Sequence, residues 1–396
     1  MAERVLIRPE TIITALEGFK RYVHRTYIVD EEGVVRKPDG KGAHWLDSRS
    51  ASGFLRVFSV LYRLGGDPED GEFAKACLRH LKRSAVCVHG TYIWSLPTPS
   101  TCDHGRYWTN MLFAAECLED EDTLSWLEGT IKAWPYFEDR GLFYVHFSPV
   151  TLKEHAHNHP YNMELEAAVP AWIVGRKLGN EVLMERGRRV VEGFFLANQR
   201  PDGLWDYDYE GVYGTESLEY LYSAYSVLLA SRLLAYPEWR EVLFGPLKRS
   251  LDATLRDCLR EDGSIYTPTH WGWGHIWEST ALVCTAAWYL QRYCDVDYGE
   301  IIARGVDWVI RCRLKEGDFD PPPQECGLVT QHLAELAYRG VEVEGERARA
   351  AQVLRTLRRV RRELFRGSRP ELYLEARPAL SRLIALFERE ESHAQT

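Results

Sequence analysis

The sequence predicts an all-α protein built from six helical hairpins. Three observations carry this: two series of breaks alternate along the chain, the segments between them have helical period, and few stretches alternate as a strand does. The first series pairs a Gly-containing polar break with an aromatic-rich loop. Its members are Glu31-Glu32-Gly33, His89-Gly90-Thr91-Tyr92, Asp139-Arg140-Gly141-Leu142-Phe143, Asp202-Gly203-Leu204-Trp205, Asp262-Gly263-Ser264-Ile265-Tyr266 and Glu316-Gly317-Asp318-Phe319. Their glycines stand about 50 to 60 residues apart. The second series consists of short turns: Gly65-Gly66-Asp67-Pro68, Glu119-Asp120-Glu121-Asp122, Leu178-Gly179-Asn180, Ala235-Tyr236-Pro237, Cys294-Asp295-Val296-Asp297 and Arg339-Gly340.

Each helix has its own signal. Ser50 to Arg63 spaces Phe54, Val57, Phe58 and Leu61 by three and four, and Glu164 to Lys177 does the same with Leu165, Ala168, Val169, Trp172 and Ile173. Pro68 and Pro237 fall in the first turn of a following helix, where the missing N–H has no partner to lose. Turns as short as those of the second series make neighbouring helices antiparallel. Six hairpins then run from Arg8 to about Phe365, with a further helix over about 376–391. Period-two stretches such as Leu142 to Phe147 are short, and no Pro/Ser-rich linker divides the chain, so 1–396 reads as one domain.

Composition narrows the function. The formal charge of −9 gives no electrostatic reason to expect a nucleic acid or an anionic membrane as partner. The charged start, Met1 to Arg8, leaves no room for a secretory signal, and no run is apolar enough to span a membrane, so a cytoplasmic location is expected. Nine dispersed cysteines without a Cys-x-x-Cys pair suit neither a disulfide framework nor a zinc ribbon. The 13 Trp and 21 Tyr outnumber the 14 Phe, a surplus of rings with a hydrogen-bonding edge that suits wet stacking surfaces.

The reactive side chains recur at one phase of the repeat, where an aromatic loop opens the next helix. They are His44, Trp45, Asp47 and Arg49 in the first unit, and Asp103, His104, Arg106, Tyr107 and Trp108 in the second. The third unit has His155, His157, Asn158, His159, Tyr161 and Asn162, and the fourth Trp205, Tyr207, Tyr209, Tyr213, Glu216, Tyr220 and Tyr222. The fifth has His270, Trp271, Trp273, His275, Trp277 and Glu278, and the sixth Gln324, Glu325, Gln331 and His332. If the hairpins close into a ring, these loops converge on one mouth beside helix N-termini, giving a cleft whose rings stack on sugar faces while polar groups bind hydroxyls. Arg49, Arg106, His44, Trp45, His104, Trp108, Tyr161, Trp205, Trp271 and Trp273 are the expected substrate-binding set.

This layout resembles the (α/α)6 toroid of six-hairpin glycosidases, polysaccharide lyases, sugar 2-epimerases and terpene cyclases, over nearly the whole chain. An open helical solenoid has the same spacing and is the structural alternative. His157-Asn158-His159-Pro160-Tyr161 is similar to the Asn-His-x-Tyr motif of α/α-barrel alginate lyases. That resemblance implies Asn158 as neutraliser of a uronate carboxyl, His159 as the imidazole, and Tyr220 or Tyr222 as the phenol that protonates the leaving oxygen. The Arg that the family places before its Tyr is replaced here by Glu216 and Glu219, and the Trp after the motif Tyr by Asn162. Gly274-His275-Ile276-Trp277-Glu278 is similar to the Gly-His-x-x-Glu region of N-acylglucosamine and cellobiose 2-epimerases, whose paired histidines move a proton beside a carbonyl, which implies His159 and His275 as such a pair.

Both resemblances share one step, removal of a proton α to a carbonyl or carboxylate. The expected activity is that of a lyase acting on a uronate-containing sugar, with epimerisation as an alternative. Inverting hydrolysis is another; it needs carboxylates ~6.5–9.5 Å apart, for which Glu216, Glu278, Glu325 and Asp103 are candidates. Gln199 to Trp205 looks like one copy of the triterpene-cyclase repeat, without that family's acidic initiator. A helical-repeat binding protein would instead use the run Arg355, Arg358, Arg359, Arg361, Arg362, Arg366 and Arg369. No cofactor is expected; His155, His157 and His159 alternate without an obvious fourth ligand, so no metal is expected either.

Overall fold

The structure, a computed structural model, describes residues 9–29, 35–36, 48–94, 99–154, 159–207, 220–268, 276–313 and 323–343. Among the described residues the helices are α1 (Pro9–Thr26), α2 (Ser48–Gly65), α3 (Pro68–Ser84), α4 (Thr101–Leu118), α5 (Glu121–Ala133) and α6 (Tyr161–Leu178), followed by α7 (Glu181–Arg188), α8 (Tyr220–Ser231), α9 (Pro237–Cys258), α10 (Ile276–Tyr293), α11 (Gly299–Arg313) and α12 (Pro323–Val343). Helix α7 continues as a π-helical segment, Arg189–Phe195. Among the described residues three antiparallel ribbons pair β1 (Ile28–Val29) with β2 (Val35–Arg36), β3 (Val86–Val88) with β4 (Thr91–Ile93), and β5 (Tyr136–Phe137) with β6 (Leu142–Phe143).

The even-numbered helices pack each on the next, and α12 returns onto α2. The ring is therefore closed, and the fold is an (α/α)6 toroid rather than an open solenoid. The odd-numbered helices form the outer layer, α3 on α2, α7 on α6, α11 on α10 and α1 on α12. Helix composition follows this division. Inner α6 is buried at every position from Tyr161 to Gly175, whereas outer α5 buries one stripe, Thr123, Leu127, Thr130 and Ile131.

The turns fold as their residues dictate. Asp67 accepts from the Glu69 N–H with Pro68 at the first helical position, Asp120 caps α5 through the Thr123 N–H, and Asn180 caps α7 through the Leu183 N–H. Gly179 closes α6 at φ 73°, where a Cβ would be strained. These short turns lie at one end of the ring. The ribbons each join an outer helix to the next inner one, so the aromatic loops gather at the opposite end, where the inner helices begin. A Cβ on Gly105 would stand 2.2 Å from the Glu166 carbonyl oxygen, so α4 and α6 touch backbone to backbone there. That contact sets Arg106 and Glu166 on adjoining walls.

No helix among the described residues is long and apolar enough to cross a membrane. Cys77, Cys117, Cys258 and Cys284 are buried free thiols. The expected helix over 376–391 and the arginine run lie outside the described residues.

Candidate functional site

The inner helices bring charged side chains to the ring axis one to three turns below the aromatic mouth. Arg56 of α2, Arg106 and Thr109 of α4, Glu166 of α6, Tyr225 and Arg232 of α8, and Gln331 and His332 of α12 line one small void of about 10 Å³. The Tyr225 hydroxyl donates to Oε1 of Glu278 on α10, so all six inner helices contribute. Asn110 on α4 ties the same layer together, donating to Ser52 Oγ at 2.6 Å and to Gln331 Oε1 at 3.2 Å.

Below this cavity sits an ion cluster. Glu335 accepts from Arg56 Nη1 at 2.8 Å, from Arg232 Nε and Nη2 at 2.9 Å each, and from the Tyr289 hydroxyl at 2.8 Å. Burial alone would raise the Glu335 carboxyl, but the two guanidiniums outweigh it and hold Glu335 well below the usual carboxylate range. Arg56 is pushed down to about 10, chiefly by burial. Its guanidinium also lies 4.4 Å from the centre of the Phe113 ring.

His332 is 2% exposed, and neither ring nitrogen has a hydrogen-bond partner among the described residues. Burial, then the Arg56 charge, lowers its pKa well below the ordinary imidazole value, so the ring is neutral. Its centroid stands 6.4 Å from that of Tyr225. Across the cavity, burial raises Glu166 against the opposing pull of Arg106, Arg232 and Arg56. Burial disfavours the charge on half-buried Arg106, but Tyr225, Cys102, Glu166 and Glu278 more than offset it, and the guanidinium stays charged. A neutral imidazole with both nitrogens unengaged, beside fixed cations and a phenol–carboxylate pair, can take a carbon-bound proton and stabilise the oxyanion that results.

The structure re-places several expected site residues. His104 is fully buried; its Nδ1 lies 2.6 Å from the Ser100 carbonyl and its Nε2 accepts the Trp94 N–H at 3.1 Å. Both nitrogens are occupied, and burial lowers its pKa to about 4. Because an unfolded histidine titrates near ~6.5, this group supports the fold fully above that pH and loses its contribution as pH falls toward 4. The expected loss over that window is roughly 3 kcal/mol, read from urea unfolding at stepped pH, with His104→Gln flattening the acid side of the profile.

Trp108 is packed against Trp134 with ring centres 5.1 Å apart, and Trp205 stacks on Phe195 at 4.1 Å while its Nε1 donates to the Phe195 carbonyl. Both are core residues, 0% and 1% exposed, and do not line the cavity. Tyr161 stacks on Phe194 of the π-helical segment. His159 is likewise buried toward the outer layer, its ring near Phe137 and Phe194, with Nδ1 2.6 Å from Glu164 Oε1 and Nε2 3.5 Å from Glu154 Oε1. Tyr220 donates to Asp257 of outer helix α9 at 2.8 Å, and burial raises its phenol to about 12. Half-buried Tyr222 meets Tyr207, ring centres 4.6 Å apart.

Arg106 and Glu278 are thus the expected residues that the structure brings together, with Gln331 and His332 from the sixth unit. His44, Trp45, Asn158, Glu216, Trp271, Trp273 and His275 lie outside the described residues, as does the side chain of Arg49 in the first turn of α2. Among the described residues no group of His, Cys, Asp and Glu is arranged to hold a metal ion. Arg56, Glu166, Tyr225, Arg232 and Glu335 were not among the candidates. Their signal is a charge or phenol inside an otherwise apolar helix, as in Phe54-Leu55-Arg56-Val57-Phe58 or Leu333-Ala334-Glu335-Leu336-Ala337, where burial on all sides demands a partner.

No protein-family model matches the sequence, and no curated protein matches it. Solved structures do share its fold. A D-mannose isomerase superposes with TM-score 0.64 at 14% identity, covering 85% of this chain and 99% of that one. A sugar epimerase from a ruminal bacterium gives TM-score 0.64 at 13% identity, covering 83% and 99%. A family 76 glycoside hydrolase from a bovine Bacteroides thetaiotaomicron strain gives 0.61 at 11%, covering 82% and 77%. At these identities the likeness is one of fold.

Proposed function

We propose that this chain is a carbohydrate-active enzyme that moves a proton at the carbon beside the carbonyl of an open-chain sugar, as an aldose–ketose isomerase or 2-epimerase does. The observation that carries this reading is His332, a neutral imidazole with no hydrogen-bond partner among the described residues, set in a cavity walled by Arg56 and Arg106. In the proposed reaction His332 takes the proton from the carbon, electron density moves to the carbonyl oxygen, and Arg106 stabilises the enediolate. Return of the proton to the neighbouring carbon gives the isomer, and to the opposite face of the same carbon the epimer. Glu278, oriented by the Tyr225 hydroxyl, is placed to exchange a proton with a sugar hydroxyl. His275, three residues before Glu278, is proposed as the second imidazole on the strength of the Gly-His-x-x-Glu resemblance. The solved relatives of the fold that act on sugars support a sugar as the substrate class.

β-Elimination from a uronate would share the first step. Its expected imidazole and one of its two expected phenols are committed elsewhere, His159 to Glu164 and Tyr220 to Asp257. The test is incubation with mannose, glucose, fructose, cellobiose and N-acetylglucosamine in deuterium oxide, followed by proton NMR. Deuterium at the carbon beside the carbonyl, with a new isomer or epimer, is the expected result. Unsaturated product from a uronate oligosaccharide, or new reducing ends without exchange, would replace this reading by elimination or hydrolysis.

A further inference from the structure

Buried polar atoms are left over around the small void on the ring axis. Arg56, Thr109 and His332 line it and are 1%, 4% and 2% exposed. Arg56 Nε, Thr109 Oγ1 and both ring nitrogens of His332 have no hydrogen-bond partner among the described residues. Buried polar groups are paired with protein atoms or with ordered water. Four such atoms on three helices, facing one void, call for a ligand, and the void sets its size. Its volume of about 10 Å³ meets the need of a single water, ~10–15 Å³. A halide ion would be tight there.

The chemistry of the walls agrees with the size. A guanidinium only donates and an ionised carboxylate only accepts, whereas a hydroxyl does both and a neutral imidazole offers one of each. Arg56, Glu166, Thr109 and His332 therefore present donors and acceptors to the same void. An anion needs donors on every side. A water uses both kinds, through two hydrogens and two lone pairs. Entry is short, because Thr109 and Arg232 also wall a cavity of about 490 Å³ at the opposite mouth of the ring, where the inner helices end. One layer of side chains separates that mouth from the void.

We infer that one water molecule is built into this void, accepting from Arg56 Nε and from one ring N–H of His332 and donating to Thr109 Oγ1 and to Glu166. Such a water fixes the histidine tautomer. The ring nitrogen bonded to it carries the proton, and the other is left unprotonated. That is the form in which an imidazole acts as a base, so the water's part in turnover rests on the activity proposed above, whereas the water site itself does not.

A high-resolution crystal structure of the full chain, grown without halide and again with bromide, tests the site directly. One density peak is expected in the void, ~2.5–3.2 Å from Arg56 Nε, Thr109 Oγ1 and a His332 nitrogen, with no anomalous signal from bromide. Absence of the peak overturns the inference, and so does a bromide signal, which makes the void an anion site. In solution the His332 ring protons should show a rotating-frame Overhauser effect to water, and the two ring nitrogens should have the chemical shifts of one tautomer. Thr109→Ile, whose added methyl group reaches the water's position, should abolish the Overhauser effect and draw the two nitrogen shifts together, while Thr109→Ser should preserve both signals. An undiminished effect in folded Thr109→Ile also overturns the inference; should that variant fail to fold, the parent's density and Overhauser effect decide. None of these readouts needs turnover. Absence of deuterium exchange with every sugar removes the activity proposed for His332 and leaves the water in place.

Discussion

Replacing Glu335 with alanine should destabilise the fold by about 3–5 kcal/mol. Glu335 is fully buried and is the shared anion of Arg56, Arg232 and the Tyr289 hydroxyl. Its loss leaves two guanidiniums facing each other in a site with almost no water, each still charged at neutral pH, and the desolvation cost already met in folding has no remaining compensation. Urea unfolding at neutral pH measures this as a lower midpoint with little change in slope. The companion variant Arg56→Met, Arg232→Met, Glu335→Met should recover most of the loss, because apolar side chains of similar volume replace the whole cluster rather than half of it. If the single variant unfolds within about 1 kcal/mol of the parent, the cluster is hydrated and the description of a dry axis fails.

The second large effect is on turnover. His332→Asn should lower kcat/KM for the sugar that exchanges deuterium by about 10²–10⁴, while the melting temperature stays close to that of the parent. The two readouts separate because neither ring nitrogen holds a structural hydrogen bond among the described residues. The pH profile gives an independent check. His332 acts as a base only when neutral, and the folded protein holds its pKa well below the ordinary value, so protonation sets in at a lower pH than for a free imidazole. The acid limb of kcat/KM should therefore fall well below pH ~6.5. A limb at the ordinary value, or full activity in the asparagine variant, would remove His332 from the reaction.

Much of the architecture is legible in the punctuation of the sequence. Asp67-Pro68, Asp120 and Asn180 announce helix starts through chemistry that needs nothing beyond neighbouring residues, and the structure uses them so. Closure is different in kind. The packing of α12 on α2 depends on the small rotation between successive hairpins, and spacing carries no record of it.

The site was legible in part, for a geometric reason. Successive residues of a helix turn by about 100°, so in the first turn of an inner helix some side chains face the axis and others the outer layer. His104 and Arg106 are two positions apart and end on different sides, one bonded to Ser100 and Trp94, the other beside Tyr225 and Glu166. Tyr220 and Tyr225 divide in the same way, toward Asp257 and toward Glu278. Residue type and phase mark the end of the ring where chemistry gathers. They do not say which side chains in each turn look inward.

The seam between α2 and α12 bears on how the chain reaches its fold. The Arg56–Glu335 bond joins residues 279 apart in sequence. During synthesis the early helices wait with one flank of α2 uncovered until the last inner helix arrives, and a contact of such long range adds little local guidance to the search. The ring therefore closes only once α12 is in place, and Glu335 is the group that α12 brings to the arginines of α2 and α8.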